Sequence, residues 1–277
     1  MRANARVVFI GGAGHSGSTL LGLVLGAHPS MFYAGEANKS RSLGDGSTKL
    51  RKRTCKVCGE TCRVWSGLEA RLREVDVYEA LSERTSRATI VDSTKSIAWL
   101  DEQIALLANQ EVPLHFVFLG RDGRAVLASS LRKRPETSAS DHARAWQKQI
   151  LATDALASRF PGEVTRVRYE ELATSPERTI ARVARALELT PVDAMREPWT
   201  TEQHPLGGNA GTQSLLEGAP DREGSIGGAK RAYYAAHPRS FLLDTRWQTE
   251  LSRSALADFD EVAGETNRPH AFGGGEA

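Results

Sequence analysis

The stretch Val7-Val8-Phe9-Ile10-Gly11-Gly12-Ala13-Gly14-His15-Ser16-Gly17-Ser18-Thr19-Leu20-Leu21 constrains the fold more than any other part of the chain. Its continuous apolar, β-branched start predicts a strand covered on both faces. A glycine-rich turn follows, then a Gly-Ser-Thr start to a leucine-rich helix. Strand, tight turn and helix in that order open a βαβ unit, and hence a parallel sheet. The free backbone N–H groups at such a helix start, with the positive end of the helix dipole behind them, form a phosphate-binding nest. Two templates fit. Gly12, Gly14 and Gly17 read as G-x-G-x-x-G, a dinucleotide turn; Gly12 to Thr19 read as G-x-x-x-x-G-K-[ST] with Ser18 where the lysine belongs. Without that lysine, chemistry on a triphosphate loses the point charge that acts on its β- and γ-phosphates.

Similar runs recur along the chain. They predict strands at Arg6–Ile10, Met31–Ala34, Ala88–Val91, Leu114–Leu119 and Glu163–Tyr169. Helical patterns fall between them at 18–27, 66–84, 96–109, 123–133, 140–159 and 175–188, with another near 247–259. The expected architecture is α/β: one domain over 1–277, a P-loop-like three-layer sandwich with a central parallel sheet flanked by helices. Residues 39–65 read as a basic, cysteine-containing insertion, solvated and loop-like. Residues 205–228 read as a glycine-rich mobile loop and 270–277 as a frayed tail.

A net charge of +2 over 277 residues is too mild for a nucleic-acid binder. No apolar run approaches the roughly 20 residues that span a bilayer. The first residues enter a strand at once, which predicts a cytoplasmic protein with no membrane role. All three cysteines, Cys55, Cys58 and Cys62, share one segment. An odd number is a poor disulfide framework. Three thiolates with a histidine would hold structural zinc, but no second pair or nearby histidine completes a tetrahedron. The expectation is a surface turn with unligated thiols and no metal. Oligomeric state is left open.

A second anion site is predicted at Leu114-His-Phe-Val-Phe-Leu-Gly120-Arg121, where an apolar strand ends in an arginine. Open α/β sheets bind ligands at that edge. Ser129 follows eight residues later, broadly on one face of the next helix. An arginine fork and a hydroxyl make a phosphate clamp.

With these motifs the chain resembles the sulfotransferases that use 3′-phosphoadenosine 5′-phosphosulfate (PAPS). The resemblance runs from residue 7 to about 209. In that family the first loop holds the 5′-phosphosulfate, which matches His15–Thr19. An Arg-x7-Ser pair holds the 3′-phosphate, which matches Arg121 and Ser129. Val167-Arg168-Tyr169-Glu170-Glu171-Leu172 looks like the family's R-Y-E-x-L segment, whose tyrosine contacts the nucleotide. Gly26-Ala-His28-Pro29 followed by Gly35-Glu36 is similar to the tyrosylprotein branch and to bacterial members. So are His204-Pro-Leu-Gly207-Gly208-Asn209 and the C-x-x-C-G…C-x-x-W stretch ending at Trp65, each similar to segments of bacterial members.

The resemblance implies a nucleotide cradle of Gly14, His15, Ser16, Gly17, Ser18 and Thr19, with Arg121, Ser129 and Tyr169 at the other end. It also implies Glu36 as general base toward an acceptor hydroxyl, with adenosine 3′,5′-bisphosphate as product and no metal required. A small-molecule acceptor, such as a secondary metabolite, is expected instead of a protein tyrosine because no secretion signal is read in the sequence. At the position of His15 most relatives carry lysine or arginine, so the charge on the leaving group is stabilised differently here. Lys95, after the third strand, is a candidate to supply it. Asp92 is expected to cap the following helix, and His28 is a weaker candidate base. Two other readings stay open. One is a nicotinamide-dependent oxidoreductase, with Glu36, 19 residues after Gly17, on a ribose. The other is a noncatalytic nucleotide-binding module.

Overall fold

Val7 and Phe9 pack into one apolar cluster and Val8 and Ile10 into another, so the first strand is buried on both sides. That alternation fixes a three-layer architecture. The structure is a computed structural model, and it describes residues 2–216 and 239–273. Five strands, β1 (Arg6–Gly11), β2 (Met31–Gly35), β3 (Thr89–Asp92), β4 (Leu114–Gly120) and β5 (Glu163–Arg168), make one sheet in the order β2-β3-β1-β4-β5. Every pairing is parallel. The expected α/β sandwich is therefore present.

Helix α1 (Ser18–Gly26) lies on one face of the sheet, its Leu21, Val24 and Leu25 packed with Val8 and Ile10. On the other face are α2 (Val77–Thr85), α3 (Ile97–Asn109) and, after α4 (Gly123–Lys133), the long α5 (Ala139–Ser158). Tyr78, Leu81, Leu100, Leu107, Trp146 and Ile150 supply that cluster. After β5, α6 (Tyr169–Thr174) and α7 (Pro176–Ala186) return to the α1 side through Leu172, Ile180 and Val183. Helix α8 (Arg253–Asn267) closes the α5 side through Phe259.

Several boundaries differ from the sequence expectation. The single helix expected at 66–84 is two, Leu68–Arg71 and α2, because Asp76 accepts from the amides of Tyr78 (3.0 Å) and Glu79 (2.9 Å) and starts a new helix. Ser252 divides 247–259 in the same way, accepting from Ala255 N at 3.1 Å. Tyr169 opens α6 instead of closing β5.

The insertion at 39–65 is solvated over most of 41–53 but anchored on either side of that stretch. Ser40, Thr54, Cys55, Cys62, Val64 and Trp65 are buried, most of them in the α5-side core. Of the glycine-rich segment at 205–228, residues 217–228 lie outside the described ones. The described part is built in, because Leu206 bridges the end of β2, donating to Ala34 O (2.8 Å) and accepting from Glu36 N (2.7 Å). A side chain at Gly35 (φ +83°) would strike the Leu206 backbone at 2.4 Å. Of the tail, 274–277 are outside the described residues, and 270–272 are tied down. Arg168 donates to the carbonyls of His270 and Ala271, and Phe272 N donates to buried Asp122 at 2.8 Å.

Candidate active site

Because all five strands run parallel, the residues that follow their C-terminal ends gather along one edge of the sheet. His15–Thr19 follow β1, Glu36 follows β2, Lys95 lies just past β3, Arg121 follows β4 and Tyr169 follows β5. The chain runs from β1 outward to β2 and later crosses from β3 to β4, so β1 ends where the two halves of the sheet diverge. Ligands of open α/β sheets bind at such a point.

The turn after β1 is shaped to present its backbone. His15 and Gly17 both take positive φ (63° and 87°), and Gly17 caps α1 without any side-chain hydrogen bond. The first amides of α1 therefore carry the anion-binding character of an uncapped helix start. A Cβ on Gly17 would lie 2.5 Å from the ring of Tyr169, so the turn sits directly on that tyrosine. Ser16 Oγ is buried with no hydrogen-bond partner.

Arg121 ties the far side of this group together. Its Nη1 donates to His15 O at 2.7 Å, and its guanidinium carbon lies 4.2 Å from the centre of the Tyr169 ring. Its Nε is buried without a partner. Tyr169 in turn donates its hydroxyl to Leu242 O at 2.5 Å. The expected partner, Ser129, does not touch Arg121 directly. Its hydroxyl donates to Ala125 O (3.0 Å) and accepts from Arg132 Nη2 (3.0 Å). Both arginines converge on Asp244, whose Oδ2 lies 3.5 Å from Arg121 and 3.8 Å from Arg132. Burial pushes the Asp244 carboxyl up, but Arg246 and Arg121 more than reverse this and bring it to about 2. A carboxylate thus occupies the cationic corner. Arg132 and Asp244 are invisible to a motif reading, since they lie three residues beyond the Arg-x7-Ser pattern and in an irregular segment.

On the other side, Glu36 is half-buried and forms an ion pair with Lys39. Burial raises its carboxyl, but the Lys39 ammonium, with Lys95 and the Gly208 backbone, outweighs that and holds it below the usual carboxylate range. Lys95 donates to Ser93 O at 2.8 Å, and burial pushes its ammonium down. Thr19 accepts from Asn209 N at 2.9 Å, so the 207–209 turn links the first loop to Glu36. β3 lies between β1 and β2, so the second strand is not beside the first. A dinucleotide fold, with its acid on the strand beside β1, needs that adjacency.

Two expectations fail locally. Asp92 does not cap α3; Ser96 does, accepting from Trp99 N at 3.3 Å. Asp92 is instead fully buried and accepts from Tyr78 Oη, Trp99 Nε1, Ala37 N and Thr94 N, at 2.8–3.1 Å. It is a structural hub because four donors from four segments meet there. His28 sits before β2, at the opposite edge of the sheet, with Nδ1 2.8 Å from Ser30 Oγ. It is far from any chemistry at the strand ends.

The cysteines also depart from expectation. Cys55 and Cys62 are buried, and His204, 142 residues beyond Cys62, brings Nδ1 to 3.1 Å from Cys58 Sγ and 3.6 Å from Cys62 Sγ. The missing fourth group exists, and only the fold delivers it. The signal was the His204-Pro-Leu-Gly207 segment, which folds back onto β2.

No helix among the described residues is long and apolar enough to cross a membrane. Compared with known proteins, residues 7–193 match the sequence model of the Sulfotransferase family. A Caenorhabditis briggsae protein named "Putative protein-tyrosine sulfotransferase" is 26% identical over 191 residues, and the match spans 66% of each chain. Among solved structures, the sulfotransferase domain from the Synechococcus PCC 7002 olefin synthase covers 96% of both chains at 17% identity, with a TM-score of 0.64. The sulfotransferase domain from the curacin biosynthetic pathway gives 0.62 at 18% identity, covering 96% of this chain and 98% of its own. Mouse sulfotransferase SULT7A1, complexed with PAP, gives 0.51 at 12% identity, covering 96% of this chain and 85% of its own. These structures share the fold, and with the family match over most of the chain they carry the conclusion that this protein belongs to the sulfotransferase family.

Proposed function

We propose that this sulfotransferase takes PAPS as donor and a small-molecule hydroxyl as acceptor. The observation that carries the nucleotide reading is the union of the first loop and Arg121 through the 2.7 Å bond to His15 O, with two buried donors, Ser16 Oγ and Arg121 Nε, left unpartnered beside it. Hydroxyl and guanidinium N–H groups in that state suit anionic oxygens. PAPS, when bound, supplies the sulfuryl group to be transferred.

The residues of the chain then divide the work. Gly14, His15, Ser16, Gly17, Ser18 and Thr19 bind the 5′ end through backbone amides and hydroxyls. Arg121 binds the 3′-phosphate, with Ser129 acting through its contact with Arg132, and Tyr169 flanks the nucleotide. Glu36, held as a carboxylate by Lys39, takes the acceptor's proton. Lys95 and His15 stabilise charge on the transferred group and on the departing phosphate. Catalysis on this reading is positioning and electrostatics.

The small-molecule acceptor is supported by the fold neighbours that come from biosynthetic enzymes, the olefin synthase and the curacin pathway. The test is transfer of labelled sulfate from PAPS to a panel of phenols, alcohols and a tyrosine peptide. The expected result is label on a small hydroxyl compound and a fall of about 10²–10⁴ in kcat for Glu36→Gln. Label on the peptide alone would contradict the acceptor class. Unchanged kcat in the variant would remove Glu36 as base.

A further inference from the structure

We propose that Cys55, Cys58, Cys62 and His204 bind one structural zinc ion. Their ligand atoms, three sulfurs and an imidazole nitrogen, all lie within 4.8 Å of one another. A tetrahedral zinc with three thiolates and one imidazole has edges of about 3.8 Å between sulfurs and about 3.6 Å from sulfur to nitrogen. The two sulfur-to-Nδ1 distances, 3.1 and 3.6 Å, already match the second figure to about half an ångström. The four groups close on a single ion with shifts of about an ångström or less.

Three further features favour a metal over a set of free thiols. The Cys55-x-x-Cys58-Gly59 turn aims the amides of Val57 (3.4 Å) and Cys58 (3.5 Å) at Cys55 Sγ, and Gly59 takes φ +77° to complete it. Amide donors on a sulfur favour the thiolate, the form that ligates. On the far side of the imidazole, Glu202 Oε1 lies 3.1 Å from His204 Nε2. The contact is not aligned as a hydrogen bond, but a small turn of the exposed Glu202 side chain would make it one. A carboxylate so placed fixes the tautomer and strengthens the other nitrogen as a ligand. Finally, Trp65 Nε1 donates to His204 O at 2.6 Å, which holds the histidine's backbone in place.

Soft sulfur donors with one imidazole, and no place left for water, select zinc in a closed structural site. On binding, each cysteine loses its thiol proton to solvent and His204 coordinates as the neutral Nε2–H tautomer. The ion would fasten the 55–65 segment to the 204–209 turn. That turn pairs with β2 through Leu206 and touches Thr19 and Glu36. The proposal stands apart from the choice of donor and acceptor.

The test is the metal content of the full chain, purified without a histidine tag in reducing, chelator-free buffer. Mass spectrometry of the metals is expected to give about one zinc per chain, released when a mercurial caps the thiols. Cobalt exchanged into the site is expected to show intense tetrahedral d–d bands with thiolate charge transfer. Cys58→Ser, at the half-buried ligand, should lower zinc content at least about tenfold. Folded, reduced protein with less than about a tenth of a zinc and no tetrahedral cobalt spectrum would overturn the site. So would a Cys55–Cys62 disulfide, or full zinc in Cys58→Ser. Should that variant not fold, the cobalt spectrum of the unaltered chain decides.

Discussion

Arg121 Nη1 donates to the carbonyl of His15 at 2.7 Å, joining the end of β4 to the turn after β1. Because the same guanidinium lies on Tyr169 and beside Asp244, its position is fixed from three sides. A planar fork so held discriminates phosphate geometry better than a flexible ammonium would. Arg121→Ala should therefore weaken adenosine 3′,5′-bisphosphate by about 10- to 100-fold, the range of a lost charged hydrogen bond. Adenosine 5′-monophosphate should lose much less. Calorimetry with both ligands checks this; equal losses would remove Arg121 from the 3′-phosphate.

The Glu36–Lys39 pair predicts a pH effect. Lys39 holds the Glu36 carboxyl below its ordinary value against the upward push of burial. A base must be ionised, so activity falls as pH drops through that lowered pKa. Lys39→Met leaves burial without its largest opponent, so the Glu36 pKa rises and the acid limb of kcat against pH moves to higher pH. A pH–rate profile of the two proteins checks the shift. An unmoved acid limb would mean that Glu36 does not carry the proton.

Asp92 predicts a stability effect without a direct catalytic one. Replacing it with alanine strands the buried donors of Tyr78 and Trp99 and the amides of Ala37 and Thr94. Each unsatisfied buried donor costs about 1–3 kcal/mol, tempered by relaxation, so a loss of about 3–5 kcal/mol is expected. Denaturant unfolding measures it. Asp92→Asn, which keeps an acceptor, should lose clearly less.

Asp122 predicts acid sensitivity at the C-terminal clamp. It accepts from Arg124, from Asn267 Nδ2 (3.2 Å) and from Phe272 N (2.8 Å). Burial raises its carboxyl, but Arg124 and the amides outweigh it and lower it overall. With the folded pKa below the unfolded one, the stabilisation is full above the unfolded pKa and is lost as pH falls through the folded one. Asp122→Asn should lower Tm at neutral pH by roughly 2–8 °C, for a loss of about 1–3 kcal/mol. The gap should narrow in acid. A constant gap between the two melting curves at every pH would contradict this.

The strands were legible because parallel strands buried on both faces read as unbroken apolar, β-branched runs, as in Leu114–Gly120. Their order was not, since nothing local in Thr89–Asp92 says that it enters between β1 and β2. Arg121 and Lys95 were placed at the strand edge because each follows an apolar run, whereas Glu36 and Tyr169 rested mainly on the resemblance; the structure sets all four along that edge. Contacts made across long separations escaped. Asp244 meets Arg121 across 123 residues, and His204 meets Cys62 across 142. The helix at 66–84 was misjudged because its apolar spacing continued through Asp76, whose capping hydrogen bonds won locally.

A crystal structure with adenosine 3′,5′-bisphosphate bound tests the central claim most directly. The account predicts one nucleotide along the strand edge, its 5′-phosphate on the amides of residues 15–19 and its 3′-phosphate on Arg121, with the Asp244 carboxylate displaced. A nucleotide whose phosphates avoid either group, or a chain that does not bind the bisphosphate, would contradict it.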